Sequence, residues 1–237
     1  MTRHPTAYDR VATGDQDTPL VPPVAGSQLS LSVLRIESDP RLVGDDSADT
    51  LLFVYAGSGS VELDGNSTSL ASGSAVFVPA GGGAMVRTDG SPLVTLHALV
   101  GPEGDIHAPL GATAHTAAVD RSASHSATGS RSFQVLFGPE NGCTRATLFV
   151  GYVPPGRAPW HFHQYDEIVW IWNGTARYHL GQGVSELRSG DAVRVHPREV
   201  HVIENLGGGD LALLGLFTPA GSPSAAYLAP VPVPVPA

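Results

Sequence analysis

The chain contains two similar segments separated by a constant 117 residues, and this internal repeat constrains the fold more than any other feature of the sequence. Residues 55–63 align with residues 172–180, and residues 73–81 align with residues 190–198, at one offset and without a gap. A fixed self-similarity of this kind is the mark of an internal duplication. We therefore expect two units of the same fold in tandem.

Both halves of the chain have the pattern of β-structure. Short apolar runs rich in Val, Leu and Phe alternate with turn residues; the chain contains 28 Gly and 20 Pro, and 42% of its residues are hydrophobic. Short runs between turn signals are typical of β-sandwiches and β-barrels, and this composition fits turn-dense β-structure better than disorder. The sequence therefore predicts an all-β fold.

Three histidines and one glutamate form a distinctive set in the second half. His161 and His163 lie two residues apart, so on a strand their side chains point to the same face. Glu167 precedes the apolar run 168–172, and His201 lies in a later run with the pattern of a strand. Three imidazoles and one carboxylate are a ligand set that divalent metals take from nitrogen and oxygen donors. We therefore predict that these four side chains converge on a metal ion.

The spacing of these residues resembles the two sequence motifs of the cupin superfamily. The matching positions are Gly156, His161, His163, Glu167 and Gly174 in the first motif, and Gly190, His201 and Asn205 in the second. The chain departs from the pattern in a first gap that is one residue short, and in His196 and Arg198, which replace a proline and a glycine. These departures change a turn and no ligand. The resemblance implies a bicupin, with two tandem jelly-roll-type β-barrels and a metal bound by the second barrel.

The same offset predicts that the first barrel lacks this ligand set. The four predicted ligands correspond, in order, to Gly44, Asp46, Thr50 and Ala84. One carboxylate remains of four ligands, so we expect the first barrel to hold no metal and to act as a packing partner for the second barrel or for a dimer.

The predicted organisation has five parts. These are an N-terminal arm at residues 1–26, the degenerate barrel at 27–100, a linker or crossover at 101–130, the metal-binding barrel at 131–219 and a Pro-rich tail at 220–237.

Composition excludes several classes of function. The net charge of −9 argues against a nucleic-acid partner, which would require clustered basic residues. All 13 basic residues are arginine, so lysine Schiff-base chemistry is excluded, and Cys143 is the single cysteine, so no intrachain disulfide forms. The sequence has neither the apolar core of a signal peptide nor a long apolar segment. We expect a cytoplasmic protein without a membrane partner.

The predicted ligand set suits several metals. Imidazole and carboxylate donors bind Fe(II), Mn(II), Ni(II), Co(II) or Zn(II), and we favour Fe(II) at one ion per chain. Four protein ligands on an ion that can take six leave two positions for substrate, water or dioxygen, as a catalytic site requires.

The strands beside the ligands carry further candidates. Arg194 and His196 share one strand face; pointing inward they would be catalytic residues that anchor a carboxylate or move a proton, and pointing outward they would be solvated rim charges. Alternation places Val169 on the Glu167 face and Trp170 on the other, where it would pack between the barrels or in a homodimer interface. The same alternation predicts that Asp166 is exposed.

The leading functional hypothesis is a metal-dependent cupin enzyme that acts on a small-molecule metabolite, most consistent with an iron-dependent dioxygenase. The first alternative is a non-redox isomerase, cyclase or lyase that uses the metal as a Lewis acid. The second alternative is a non-catalytic cupin that binds a small ligand. A homodimer is expected because the resemblance implies it.

Overall fold

The computed structural model describes residues 16–37, 40–102 and 108–229. Residues 1–15 of the predicted arm and 230–237 of the predicted tail lie outside this range. Within it, the chain forms β-strands and three short 3-10 helices, at Arg121–Ala123, Thr128–Ser130 and Pro139–Asn141. No helix in the described part of the chain is long and apolar enough to cross a membrane.

The first half forms two antiparallel sheets. Its strands are β1 (Gln16–Val21), β2 (Leu29–Ile36), β3 (Arg41–Val43), β4 (Asp49–Ala56), β5 (Gly59–Leu63), β6 (Asn66–Leu70), β7 (Ser74–Val78), β8 (Ala84–Thr88), β9 (Leu93–Val100) and β10 (Thr116–Ala118). One sheet has the order β1-β2-β9-β4-β7-β10 and the other β3-β8-β5-β6. Within the predicted arm, β1 pairs along β2, so this segment belongs to the first unit's sheet.

The second half repeats this arrangement. Its strands are β11 (His125–Ser126), β12 (Ser132–Phe137), β13 (Thr147–Val153), β14 (Gly156–Arg157), β15 (His161–Phe162), β16 (Asp166–Asn173), β17 (Thr175–Leu180), β18 (Gly183–Arg188), β19 (Ala192–Val195), β20 (His201–Asn205), β21 (Leu211–Thr218) and β22 (Tyr227–Leu228). The sheets have the orders β11-β12-β13-β21-β16-β19 and β18-β17-β20-β15-β22, with β14 also paired to β20.

Corresponding strands of the two halves have the same neighbours in their sheets. β4 and β16 differ by 117 residues at both ends, as do β8 and β20. The sheet neighbours of β4 are β9 and β7, and those of β16 are the corresponding strands β21 and β19. The prediction of an all-β fold with two tandem barrel-like units is therefore confirmed, and each unit is built from two facing sheets.

Three large apolar cores and a small cluster around Trp160 hold the described sheets together. One lies inside the first unit and includes Leu52 and Val76, and one lies inside the second unit and includes Val169. The third lies between the units, where the sheet that contains β4 packs against the sheet that contains β16 and where Trp170 is fully buried. A strand covered on both faces reads as one continuous apolar run, as residues 168–172 do.

This packing confirms the prediction that successive side chains of β16 point to opposite faces of the sheet. The Trp170 ring contacts Tyr55 edge-on at a centroid distance of 5.3 Å, and Trp172 contacts Phe53 at 5.1 Å. The aromatic face of β16 therefore packs between the two units of one chain. The homodimer stays a prediction, and this face is not its interface.

Candidate metal centre

The four predicted ligands come from both sheets of the second unit. His161 lies on β15 and is aligned directly with His201 on the neighbouring strand β20. His163 follows β15 by one residue, and Glu167 projects from β16 in the facing sheet. All four side chains are buried. The fold therefore places them in the space between the two sheets.

Distances show that the four side chains meet. Nε2 of His163 lies 2.9 Å from Oε2 of Glu167. His163, Glu167 and His201 each offer a ligand atom within 4.8 Å of the other two. The ring centroid of His161 lies 4.5 Å from that of His201. Donors bound at about 2.0–2.2 Å to one ion lie up to about 4.4 Å apart, so this cluster is close to the size that a divalent metal requires.

Backbone carbonyls orient all three imidazoles in the same way. Each Nδ1 lies 2.9 Å from a carbonyl oxygen two residues away in the chain; the pairs are His161 with Pro159, His163 with Tyr165, and His201 with Glu199. A proton on Nδ1 donates to the carbonyl and leaves the Nε2 lone pair available, which is the usual arrangement of a metal-binding histidine.

The contact between His163 and Glu167 shows whether this group of side chains is suited to bind a cation. Nε2 of His163 is buried and lacks a well-oriented hydrogen-bond partner, although Oε2 of Glu167 is 2.9 Å away. With Nδ1 protonated, both atoms present lone pairs, and two lone pairs this close are stable only with a proton or a metal ion between them. The donor set therefore fits a divalent metal.

Burial and neighbouring charges control the protonation of the histidines. Burial lowers the pKa of His161, and burial together with the nearby His161 lowers the pKa of His201 to about 4. For His163, burial opposes the charged form, but contact with the Glu167 carboxylate outweighs it and raises the pKa. Near neutral pH His161 and His201 are therefore in the uncharged form that binds metals.

A cavity of about 90 Å³ opens beside the four side chains. Its apolar wall includes Phe149, Val169, Ile203 and Leu213. Tyr165 also lines it, and its ring stacks on His163 at a centroid distance of 4.1 Å. Ligand pockets typically combine apolar walls with a few convergent polar groups, as this cavity does.

Arg131 is a cavity residue that sequence reasoning missed. It lies just before β12 and lines the same cavity as the three histidines and Glu167. No motif marks it, because more than 25 residues separate it from His161 in the chain. The correspondence of β12 with β1, which puts Arg131 at a strand entry, is visible only in the sheet orders.

The structure does not bring Arg194 and His196 into the cavity. Val193 and Val195 of β19 face the core of the second unit, so Arg194 points to the opposite side. There its Nη2 donates to the carbonyl oxygen of Leu29, at 2.8 Å, in the first unit. The side chain of His196 is 54% exposed. This geometry favours an inter-unit role for Arg194 over the predicted catalytic one.

The prediction that Asp166 is exposed was wrong. Asp166 is buried and its Oδ2 lies 2.7 Å from Nη1 of Arg194. Asp166 does lie on the face opposite Glu167, as alternation predicts, but the first unit covers that face.

Asn205 stabilises a turn, since its Nδ2 donates to the carbonyls of Val153 and Gly209.

The first unit is packed differently at the equivalent positions. A Cβ atom on Gly44, the counterpart of His161, would lie 2.4 Å from the carbonyl oxygen of Gly82. That position therefore has no room for an imidazole. Thr50 and Ala84, the counterparts of Glu167 and His201, are fully buried.

Comparison with known proteins agrees with this architecture. Residues 148–217 match the family described as "Cupin domain". A mutant of Bacillus subtilis oxalate decarboxylase has a TM-score of 0.67 at 14% identity, covering 86% of this chain and 71% of its own. A mutant of salicylate 1,2-dioxygenase from Pseudoaminobacter salicylatoxidans has a TM-score of 0.69 at 10% identity, covering 90% and 79%. A cupin 2 conserved barrel domain protein from Leptotrichia buccalis has a TM-score of 0.64 at 10% identity, covering 90% and 97%. No curated protein sequence is significantly similar to the chain.

Residues 148–217 therefore form a cupin domain, and the chain as a whole has the fold of a bicupin. The matched segment contains all four predicted ligands. At identities of 10–14% the solved structures establish the fold alone.

Proposed function

We propose that this protein is a metal-dependent enzyme that acts on a small organic molecule, with His161, His163, Glu167 and His201 as the metal ligands. The observation that carries the proposal is the convergence of these side chains beside a cavity, with each imidazole held by a carbonyl at Nδ1. A site that only stabilises the fold is normally closed by protein ligands, whereas this one adjoins space for a substrate.

The lining of the cavity favours an oxidation over a proton-transfer reaction. Apart from the four ligands, the titratable side chains among its described lining residues are Arg131, Tyr152 and Tyr165. Arginine stays protonated, and burial raises the pKa of both tyrosines. None of the three therefore serves as a base near neutral pH.

An isomerase, cyclase or lyase commonly uses a base that removes a proton from the substrate. In an oxidation by dioxygen, an iron ion held by the three histidines and Glu167 would supply the electron transfer. The protein residues then bind the substrate, exclude water with the apolar wall and hold the ligands in place. An iron-dependent dioxygenase is thus the reaction class that the cavity supports best.

The first measurement is the metal content of protein purified without added metal. We expect about one ion per chain, and iron would support the dioxygenase. Protein loaded anaerobically with Fe(II) and exposed to nitric oxide should give the electron paramagnetic resonance signal of an iron–nitrosyl complex, which reports an open position. Absence of bound metal in wild-type protein given excess Fe(II), Mn(II), Co(II) and Zn(II) would refute the proposal.

The second measurement separates the reaction classes. Oxygen uptake by the iron-loaded protein is followed with a panel of small organic acids, and the same panel is incubated under nitrogen with product analysis. A dioxygenase consumes oxygen and makes no product under nitrogen. Equal turnover under nitrogen would show the non-redox alternative instead.

A further inference from the structure

Arg131 contributes a positive charge to the metal cavity. It is partly buried and lines the cavity together with the three histidines and Glu167. Burial lowers its pKa, and the carboxylate of Glu167 is the largest of the charges that oppose this effect. The guanidinium is therefore close enough to the ligand set to act on whatever occupies the cavity.

With a metal bound, the charged groups among the described lining residues would be mostly positive. A divalent ion, one carboxylate and one guanidinium leave a net charge of about +2 in a space whose remaining wall is largely apolar. Positive charge at low dielectric attracts anions strongly, so an anion in the cavity would be stabilised by both positive centres. A neutral ligand would lack this attraction.

The size and wall of the cavity limit the anion. A volume of about 90 Å³ is several times the roughly 10–15 Å³ that a cavity needs to hold one water, so it admits a molecule of a few non-hydrogen atoms. The aromatic ring of Phe149 and the aliphatic side chains of Leu213 and Ile203 form the wall. This wall suits an apolar body of a few carbon atoms.

We propose that Arg131 binds the carboxylate of a small organic acid, which occupies the cavity with its apolar part against Phe149 and Leu213 and reaches the metal. Arginine presents a planar fork of donors that matches a carboxylate with two parallel hydrogen bonds. Arg131 is thus a specificity-determining residue that selects carboxylic acids over neutral molecules of the same shape. This inference rests on the proposed metal-dependent function, and it names the substrate class.

The opposing explanation is that Arg131 only neutralises Glu167. In that case its loss would change metal affinity and leave carboxylate binding by the loaded protein unchanged. The two explanations therefore differ in a binding measurement that does not depend on turnover.

The test uses protein loaded with Co(II), which is stable in air and has a visible absorption spectrum. Acetate, pyruvate and benzoate are titrated into it by calorimetry, with benzamide as the neutral counterpart of benzoate. We expect at least one carboxylate to bind, and the variant Arg131→Gln to bind it about tenfold or more weakly. Arg131→Lys, which keeps the charge without the fork, should fall between the two.

Arg188→Gln is the matched control, because Arg188 is exposed and does not line the cavity. Its carboxylate affinity should equal that of wild type, and benzamide binding should be the same in all variants. Carboxylate binding unchanged in Arg131→Gln with full cobalt content, or no binding of any panel acid by cobalt-loaded wild type, would overturn this inference and leave the metal-dependent function standing. Failure of the wild-type protein to bind cobalt or any other metal would refute both this inference and the proposed metal-dependent function. Circular dichroism checks folding, and Arg131→Lys carries the test if Arg131→Gln does not fold.

Discussion

Arg194 and Asp166 form a buried ion pair, with Nη1 of Arg194 2.7 Å from Oδ2 of Asp166, directly behind the predicted ligand Glu167. The hydroxyl of Ser27 in the first unit donates to the same carboxylate oxygen and accepts from Nη1 of Arg194. Arg194 also donates to the carbonyl of Leu29. The first unit therefore contacts the strand that carries Glu167 through a polar cluster next to Leu29 of the apolar inter-unit core.

Replacing Arg194 by Met should destabilise the protein by roughly 3–5 kcal/mol, because it leaves the Asp166 carboxylate buried without its cation. Urea unfolding measures this change. The double variant Asp166→Leu with Arg194→Met removes both charges and should recover much of the loss. Arg188→Gln, at an exposed position, serves as the control. A change below about 1 kcal/mol in the single variant would show that the pair contributes little to inter-unit packing.

Replacing His161 by Ala should lower the affinity for Co(II) or Fe(II) by about 100-fold or more, since loss of an outer-shell partner alone typically costs 10–100-fold. This variant is informative because the tightest cluster contains His163, Glu167 and His201, and His161 joins it through its ring contact with His201. Equilibrium dialysis with metal analysis gives the affinity. His125→Ala is the control, because His125 is exposed and outside the cavity. Wild-type affinity in His161→Ala would mean that the site uses three protein ligands.

Replacing Gly215 by Ala should narrow the cavity. A Cβ atom there would lie 2.2 Å from a ring carbon of Phe149, so the ring must shift. We expect a loss of about 1–3 kcal/mol in unfolding free energy from overpacking, together with weaker binding of the carboxylate panel at unchanged cobalt content. Gly208→Ala is the matched control, since a Cβ at Gly208 meets no atom within 4 Å. Carboxylate binding equal to that of wild type would show that Phe149 can move without closing the cavity.

The thiol of Cys143 should be inert in the native protein. Cys143 is fully buried in the inter-unit core, and burial raises its pKa to about 12. The reactive thiolate is therefore scarce at neutral pH, and labelling requires the units to open. Ellman's reagent should react slowly with native protein and with one thiol per chain in guanidinium chloride. Arg194→Met should label faster than wild type; rapid labelling of the native wild type would contradict the packing of this core.

Local features of the sequence predict much of the architecture. The repeat is visible because corresponding strands keep their length and spacing, so β4 and β16 share an offset of 117 at both ends. The candidate ligands are visible because His161, His163 and Glu167 are close in sequence and belong to a recognisable motif. Alternation on β16 correctly separates Val169, in the second unit's core, from Trp170, in the inter-unit core.

Alternation alone does not tell which face of a strand is covered, or by what. Alternation places Arg194 and His196 on one face of β19. It does not show that the other face, with Val193 and Val195, is the one that lies in the core of the second unit. It also misplaces Asp166 in solvent, because nothing near Asp166 in the sequence reveals that the first unit lies over it.

The sequence by itself determined the all-β class, the duplication and the identity of the four candidate ligands, since each depends on patterns within short segments or on a fixed offset. Only the tertiary structure decided that Arg131 lines the cavity beside the candidate ligands and that Arg194 joins the units. The physical reason is that burial and charge pairing depend on what packs across a sheet, and those contacts join residues as distant as Ser27 and Asp166, which are 139 positions apart.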